Sequence, residues 1–160
     1  MAFDFLSYLV DQTLQSTQLF VNHNKEKRYI IISHIAALSL IYLKNQSATQ
    51  SHSIITQQHP NLDQLALPPE KIKEFSGYLS QNESLITEAQ KKINQILLNE
   101  LKQLDQSANL GEYGLKELID GQIPWIQDSV EPWLWDFINQ PEHKITKTNK
   151  NENPDFNKIM

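Results

Sequence analysis

The sequence predicts an all-α protein: a single compact domain of about five or six helices over residues 1–140, followed by a disordered tail over residues 141–160. Apolar residues recur at steps of three and four in the patterned segments, which is the spacing of one helix face. The segment 29–43 is apolar on nearly all sides, as a helix buried within a domain is. The final segment is too polar to bury the surface that folding requires.

Length and composition are those of one domain. The chain has 160 residues, within the roughly 100 to 200 residues of a typical domain. Apolar residues make up 39% of it, against an average of about 45 to 50%. We therefore expect the polar residues to be concentrated in particular segments.

The charge pattern argues against nucleic acid as a partner. The net charge is −5, whereas binding to phosphates needs clustered basic residues that displace counterions. Arg28 is the single arginine among 14 basic residues, which leaves little for bidentate recognition of phosphate or carboxylate groups. We expect neither a nucleic-acid partner nor an anion site built from arginine.

Cysteine usage and the first residues predict a cytoplasmic protein. The chain has no cysteine, which excludes disulfides, thiolate nucleophiles and sulfur-ligated zinc. A secretory signal places basic residues before its apolar run, but the first basic residue here is Lys25. The preference for lysine over arginine, with frequent asparagine and isoleucine, indicates an AT-rich genome and a bacterial source.

Two helices are predicted near the N-terminus. The segment 3–21 carries apolar residues at helical spacing: Phe3, Leu6, Val10, Leu14 and Val21. A turn over residues 22–24 separates it from the segment 29–43. As a helix, that second segment would be about 22 Å long, short of the roughly 30 Å hydrocarbon core of a bilayer, so we interpret it as a buried central helix. Its β-branched beginning, 29–32, leaves a short strand as an alternative.

The middle of the chain is predicted to hold a polar loop and two helices. Residues 45–60 are rich in Ser, Thr, Gln and His, which favours a loop. Pro68 and Pro69 are typical of a helix start. The inner face of that helix should comprise Ile72, Phe75 and Leu79. The strongest helical pattern covers 84–104, with Ser84 as the expected N-cap. Its apolar face should comprise Ile86, Ala89, Ile93, Leu97, Leu101 and Leu104.

Short helices are predicted after residue 110. Residues 112–120 form one, which we expect Gly121 to end in a left-handed turn. Another should reach Asn139, with Pro132 in its first turn, where proline is tolerated. The candidates for its N-cap are Asp128 and Ser129. From about residue 143 onward the composition predicts disorder.

The sequence contains no signature of catalysis, of a cofactor or of a metal site. Its five histidines lack the spacing of ligands on one helix face, and its four glycines form no phosphate-binding loop. No serine lies in a nucleophile elbow. His34 lies within the apolar segment, where an imidazole that makes a structural hydrogen bond is the simplest interpretation. We expect no cofactor and no metal.

The segment 105–136 is the best candidate for an interaction surface. Seven acidic residues lie in it against the single base Lys116, a net charge of −6, and it holds all three tryptophans. Tryptophan contributes strongly at protein interfaces, and an acidic rim attracts a basic partner. The predicted partner-binding residues are Trp125, Asp128, Glu131, Trp133, Trp135 and Asp136.

The two neighbouring tryptophans leave an alternative. Trp133 and Trp135 would point about 200° apart on a helix, so one should be more exposed unless it packs under a loop or a partner. The tryptophans would instead serve structure alone if they fill a corner of the domain's own core.

The sequence thus favours a non-enzymatic helical module that binds another protein of basic character, of the adaptor, inhibitor or small-chaperone type. One alternative is a peripheral membrane protein that uses the segment 29–43 and its basic flank. A weaker alternative is an enzyme of unknown class that uses His34.

Overall fold

The computed structural model describes residues 3–139, and the predicted all-α class is confirmed. These residues form eight α-helices, one short 3-10 helix (Leu62–Leu65) and no strand. The α-helices are α1 (Phe5–Ser16), α2 (Lys25–Lys44), α3 (Ala48–Thr56), α4 (Pro69–Leu79), α5 (Glu83–Ala108), α6 (Gly111–Asp120), α7 (Ile123–Ser129) and α8 (Trp133–Ile138). They outnumber the expected five or six partly because α3 occupies the predicted loop.

The chain divides into two units, the first ending at Val130 and the second beginning at Glu131. In the first unit, α2 and α5 are central: α2 packs against α1, α5, α6 and α7, and α5 also packs against α1, α3, α4 and the 3-10 helix. Of the described helices, α8 belongs to the second unit. The predicted tail over residues 141–160 lies outside the described residues.

Helix α1 is shorter than the predicted segment 3–21. Asp4 caps it by accepting a hydrogen bond from the Ser7 amide at 3.0 Å, and its buried face comprises Phe5, Leu6, Leu9, Val10 and Thr13. The helix ends at Ser16 because Thr17, its C-cap, takes an extended conformation with φ of −133°. Phe3 and Val21 are consequently exposed outside the helix, which corrects their predicted place on its inner face.

Helix α2 confirms the buried central helix and excludes the alternative strand at 29–32. It begins four residues earlier than the apolar segment, where the Asn24 side chain accepts from the Lys27 amide at 2.8 Å. Every residue from Ile31 to Ile41 is buried, whereas Ile30 before them is exposed. Helices on several sides of α2 explain why its sequence lacks a polar face.

Among the described residues, no helix is both long enough and apolar enough to cross a bilayer.

The predicted loop over 45–60 is wrong, because helix α3 occupies most of it. Ser47 caps α3 by accepting from the Gln50 amide at 3.1 Å. Ile54 and Ile55 are buried, and α3 packs against α5 and α6. The burial of a few apolar side chains therefore outweighs the polar composition of this segment.

Helices α4 and α5 form a hairpin close to the prediction. Helix α4 begins at Pro69, and the expected Ile72, Phe75 and Leu79 are buried. The N-cap of α5 is Asn82 rather than Ser84, since the Asn82 side chain accepts from the Ser84 amide at 2.8 Å. The predicted inner face of α5 is buried apart from Leu104, which is half-buried.

The ends of the last helices differ from the prediction. Gly121 follows α6 in a right-handed conformation, with φ of −67°, so the predicted left-handed turn there is wrong. The left-handed residues in this region are Asn109, which ends α5, and Gly111, with φ of 54° and 71°. The N-cap of α8 is Pro132, rather than Asp128 or Ser129, because α7 extends through Ser129.

Candidate protein-interaction surface

The six residues predicted to bind a partner all keep accessible surface, and we call them the Trp–acid set. Its acidic members are exposed: Asp128, Glu131 and Asp136. Its tryptophans are half-buried: Trp125, Trp133 and Trp135. Trp125 and Asp128 lie in the first unit, and the other four residues lie in the second.

In the first unit, α7 carries two members of the set on one side. Trp125 and Asp128 are three residues apart, so they are neighbours on the helix surface. Ile126 is the buried residue of this short helix. Trp125 therefore lies at the margin between the buried and the exposed sides of α7.

In the second unit, α8 carries two half-buried tryptophans, which lie on opposite sides of its buried face. Leu134 and Phe137 are its buried residues and, being three apart, share one face. Trp133 and Trp135 lie about 100° to either side of Leu134, since each residue advances a helix by that angle. Both indoles are half-buried, because both border the same buried face.

A second exposed aromatic surface lies at the beginning of α1, and we call Phe3, Phe5 and Tyr8 the aromatic corner. The three ring centroids are 6.0 to 6.2 Å apart and the rings are tilted, which is a favourable aromatic geometry. Phe5 is fully buried, whereas Phe3 and Tyr8 are 46% and 37% exposed. The corner thus joins an accessible aromatic surface to the core.

Tyr8 connects the aromatic corner to α5. Its hydroxyl donates to Glu100 Oε1 at 2.9 Å. This hydrogen bond, together with burial and the negative charge of Glu100, raises the pKa of the Tyr8 phenol above its ordinary value. Tyr8 therefore stays a neutral donor to the Glu100 carboxylate.

Gln122 attaches the start of α1 to the chain just before α7. Its side chain is 1% exposed, and its Oε1 accepts from the Phe5 and Leu6 amides at 2.9 and 3.2 Å. Its Nε2 donates to the carbonyls of Phe3 and Leu118 at 2.8 and 3.2 Å. These bonds hold the aromatic corner near the N-terminal end of α7, on which Trp125 lies.

Three of the histidines that the structure describes, His23, His34 and His52, lie within hydrogen-bond distance of other groups. His34 is fully buried, and its Nδ1 lies 2.8 Å from the Ile30 carbonyl one turn earlier. His23 Nε2 lies 3.3 Å from Gln81 Oε1. Within residues 3–139, no group of three or more His, Asp or Glu side chains is placed to hold a metal.

His52 belongs to a polar junction of α3, α5 and α6. Its Nε2 lies 3.2 Å from Asp105 Oδ2, and the other oxygen of that carboxylate accepts from the Gly111 amide at 2.9 Å. Nearby, Thr49 Oγ1 donates to Glu112 Oε1 at 3.1 Å. Asp105, whose side chain is 12% exposed, thus contributes to this junction.

No protein-family model, curated protein or solved structure matches the chain.

Sequence reasoning predicted the Trp–acid set, which stays a prediction, and it did not anticipate the aromatic corner or the bonds of Gln122. The aromatic corner had a signal, because Phe3, Phe5 and Tyr8 are close together in sequence. Gln122 had none, since its main partners are 116 and 117 residues away. Only the packing of α1 in the folded chain brings them together.

Proposed function

We propose that the chain is a non-enzymatic helical module of the adaptor, inhibitor or small-chaperone type, which binds another protein through the Trp–acid set. The observation that carries this proposal is that all three tryptophans retain accessible surface while the three acidic residues beside them in sequence are exposed. Accessible indoles supply binding energy, and exposed carboxylates favour the approach of a basic partner. The proposal includes a cytoplasmic location, in keeping with the absence of cysteine.

The environment of His34 supports the non-enzymatic part of the proposal. The residue is fully buried within α2, and its Nδ1 is directed to a carbonyl of the same helix. A general base must come within hydrogen-bond reach of the proton that it removes. A buried imidazole on the central helix offers a substrate no such approach.

Burial also weakens the membrane alternative. An interfacial helix needs an apolar face that lipid can reach, whereas α2 is buried continuously from Ile31 to Ile41. Only Ile30 of its apolar residues is exposed, at 39%. Co-sedimentation with anionic vesicles tests this alternative directly, and we expect the protein to remain in the supernatant.

Matched charge variants test the proposed surface. A partner is first captured from the native host with the wild-type chain. The triple variant D128N/E131Q/D136N should then recover roughly tenfold less of it, because rim charges act together on association. The control D11N/E26Q/E70Q removes the same number of charges from exposed positions elsewhere. Equal recovery by both variants would contradict the proposal.

Single tryptophan substitutions separate binding from folding. Trp125→Ala, Trp133→Ala and Trp135→Ala are each compared with the wild type in thermal unfolding and in capture of the same partner. We expect at least one variant that stays folded at the assay temperature and yet loses the partner. If every substitution lowers the melting temperature and none weakens capture by folded protein, the tryptophans serve the core alone.

A further inference from the structure

A cleft in the first unit lies between the chain before α4 and the beginning of α5. Its volume is about 730 Å³, within the range of roughly 300 to 1,000 Å³ of ligand pockets. The walls are mainly apolar and include Leu67, Pro68, Pro69 and Ile72. The cleft shares no residue with the Trp–acid set.

Gln90 is the unusual member of the cleft wall. It lies on α5 and is 1% exposed, yet neither its amide oxygen nor its amide nitrogen has a hydrogen-bond partner among the described residues. Buried polar groups are nearly always paired, and leaving one unpaired is destabilising. Gln122, which is equally buried, shows the ordinary case with all its amide bonds made.

We propose that the cleft binds an extended peptide segment and that Gln90 pairs with the backbone of that segment. A carboxamide presents one acceptor and two donor hydrogens. The N–H and C=O of a single residue in an extended chain point to the same side, so they match these groups together. The terminal torsion of glutamine is soft, so the amide plane can rotate to match the backbone groups of the segment. Unlike His34, Gln90 lines the cleft, and binding has to uncover its amide, because the residue is 1% exposed in the free protein.

The remaining lining residues specify the side chains of the ligand. The apolar walls fit an aliphatic side chain next to the paired backbone. Asp63 and Glu83 also line the cleft, against Lys91 as its basic residue, so the site carries a net negative charge. A segment that carries an aliphatic and a basic residue complements both features.

The first experiment titrates the full chain with a blocked tetrapeptide, acetyl-Ala-Leu-Lys-Ala-amide, and records NMR spectra at each step. We expect the chemical shifts of the Gln90 side-chain NH₂ and of the Thr87 backbone amide to change and to saturate, because both residues line the cleft. A peptide with N-methylated leucine loses one backbone donor but keeps the side chain, and should bind about three- to tenfold more weakly. A glutamate in place of the lysine should also weaken binding.

The second experiment replaces Gln90. Gln90→Met keeps the shape and removes both unpaired groups, so it should raise the melting temperature while weakening the tetrapeptide at least tenfold. Gln103→Met, at an exposed position of α5, is the control for both readouts. If Gln90 served core packing alone, Gln90→Met would not raise the melting temperature and weaken peptide binding at the same time.

Three results would overturn the inference. One is a Gln90→Met variant less stable than the control, which would show that the amide is already satisfied in the free protein. Another is absence of saturable shifts, or equal binding of the N-methylated peptide. The third is equal binding of the peptide in which glutamate replaces lysine. The proposed function is tested separately, because D128N/E131Q/D136N leaves the cleft intact.

Discussion

Replacing Gln122 by methionine removes the side-chain amide that completes the first turn of α1, while the side chain keeps a similar shape. The Leu6 amide then loses its acceptor, the Phe5 amide keeps only the Phe3 carbonyl at 3.0 Å, and that carbonyl loses the Gln122 donor. A helix start has amides without an intrahelical partner, so these groups depend on a capping acceptor. Asp4 continues to cap the Ser7 amide only.

The magnitude follows from the groups left unpaired. A buried polar group without a partner costs about 1 to 3 kcal/mol, and the hydrogen bonds to the Phe5 and Leu6 amides are both buried. We expect the variant to lose about 2 to 5 kcal/mol of unfolding free energy. For a domain of this size that lowers the melting temperature by roughly 5 to 15 °C.

Thermal unfolding followed by circular dichroism measures the loss, and hydrogen exchange locates it. The Phe5 and Leu6 amides should exchange much faster in Gln122→Met than in the wild type. Gln127→Met, at an exposed position of α7, should change stability by no more than about 0.5 kcal/mol. If both variants melt alike and the two amides stay protected, our account of Gln122 is wrong.

Three further predictions concern stability and pH. Ser47→Ala should destabilise the protein by about 1 kcal/mol through loss of the α3 cap, whereas Ser53→Ala at an exposed position should not, and urea unfolding compares them. Leu97→Ala, in the fully buried face of α5, should cost about 2 to 5 kcal/mol in the same assay. Glu100→Gln should lower the raised pKa of Tyr8 toward about 10, measured by ultraviolet absorbance titration. The pKa of Tyr8 is higher in the folded protein than in the unfolded chain. The contribution of Tyr8 to folding stability is therefore present below about pH 10 and is lost as the pH rises through the folded-state pKa. The unfolding free energy of Tyr8→Phe should consequently fall less at high pH than that of the wild type.

Helices with a continuous apolar pattern were predictable, since the pattern alone identifies the buried face. Helix α5 shows this, with Ile86, Ile93 and Leu97 fully buried as expected. Helix α3 was not predictable in this way, because its stability depends on two isoleucines packing against α5 and α6. The neighbours of a short polar helix cannot be identified from the helix itself.

The two candidate sites differ in the same way in how far the sequence alone could predict them. The Trp–acid set was recognisable because tryptophan and acidic residues are concentrated in one segment. The cleft at Gln90 was not, since Asp63 and Gln90 are distant in sequence and glutamine is common on helix surfaces. Burial without a partner distinguishes Gln90 from the exposed glutamines of the same helix, and that property exists only in the fold.

The bonds of Gln122 also affect the order of events during translation. The Phe5 amide and the Gln122 side chain are separated by 117 residues, which a ribosome adds in roughly 6 to 23 s at about 5 to 20 residues per second. Throughout that interval the Leu6 amide lacks its Gln122 acceptor, and the aromatic corner is without that anchor. The start of α1 therefore reaches its full set of hydrogen bonds only after α6 has been completed and Gln122 has emerged.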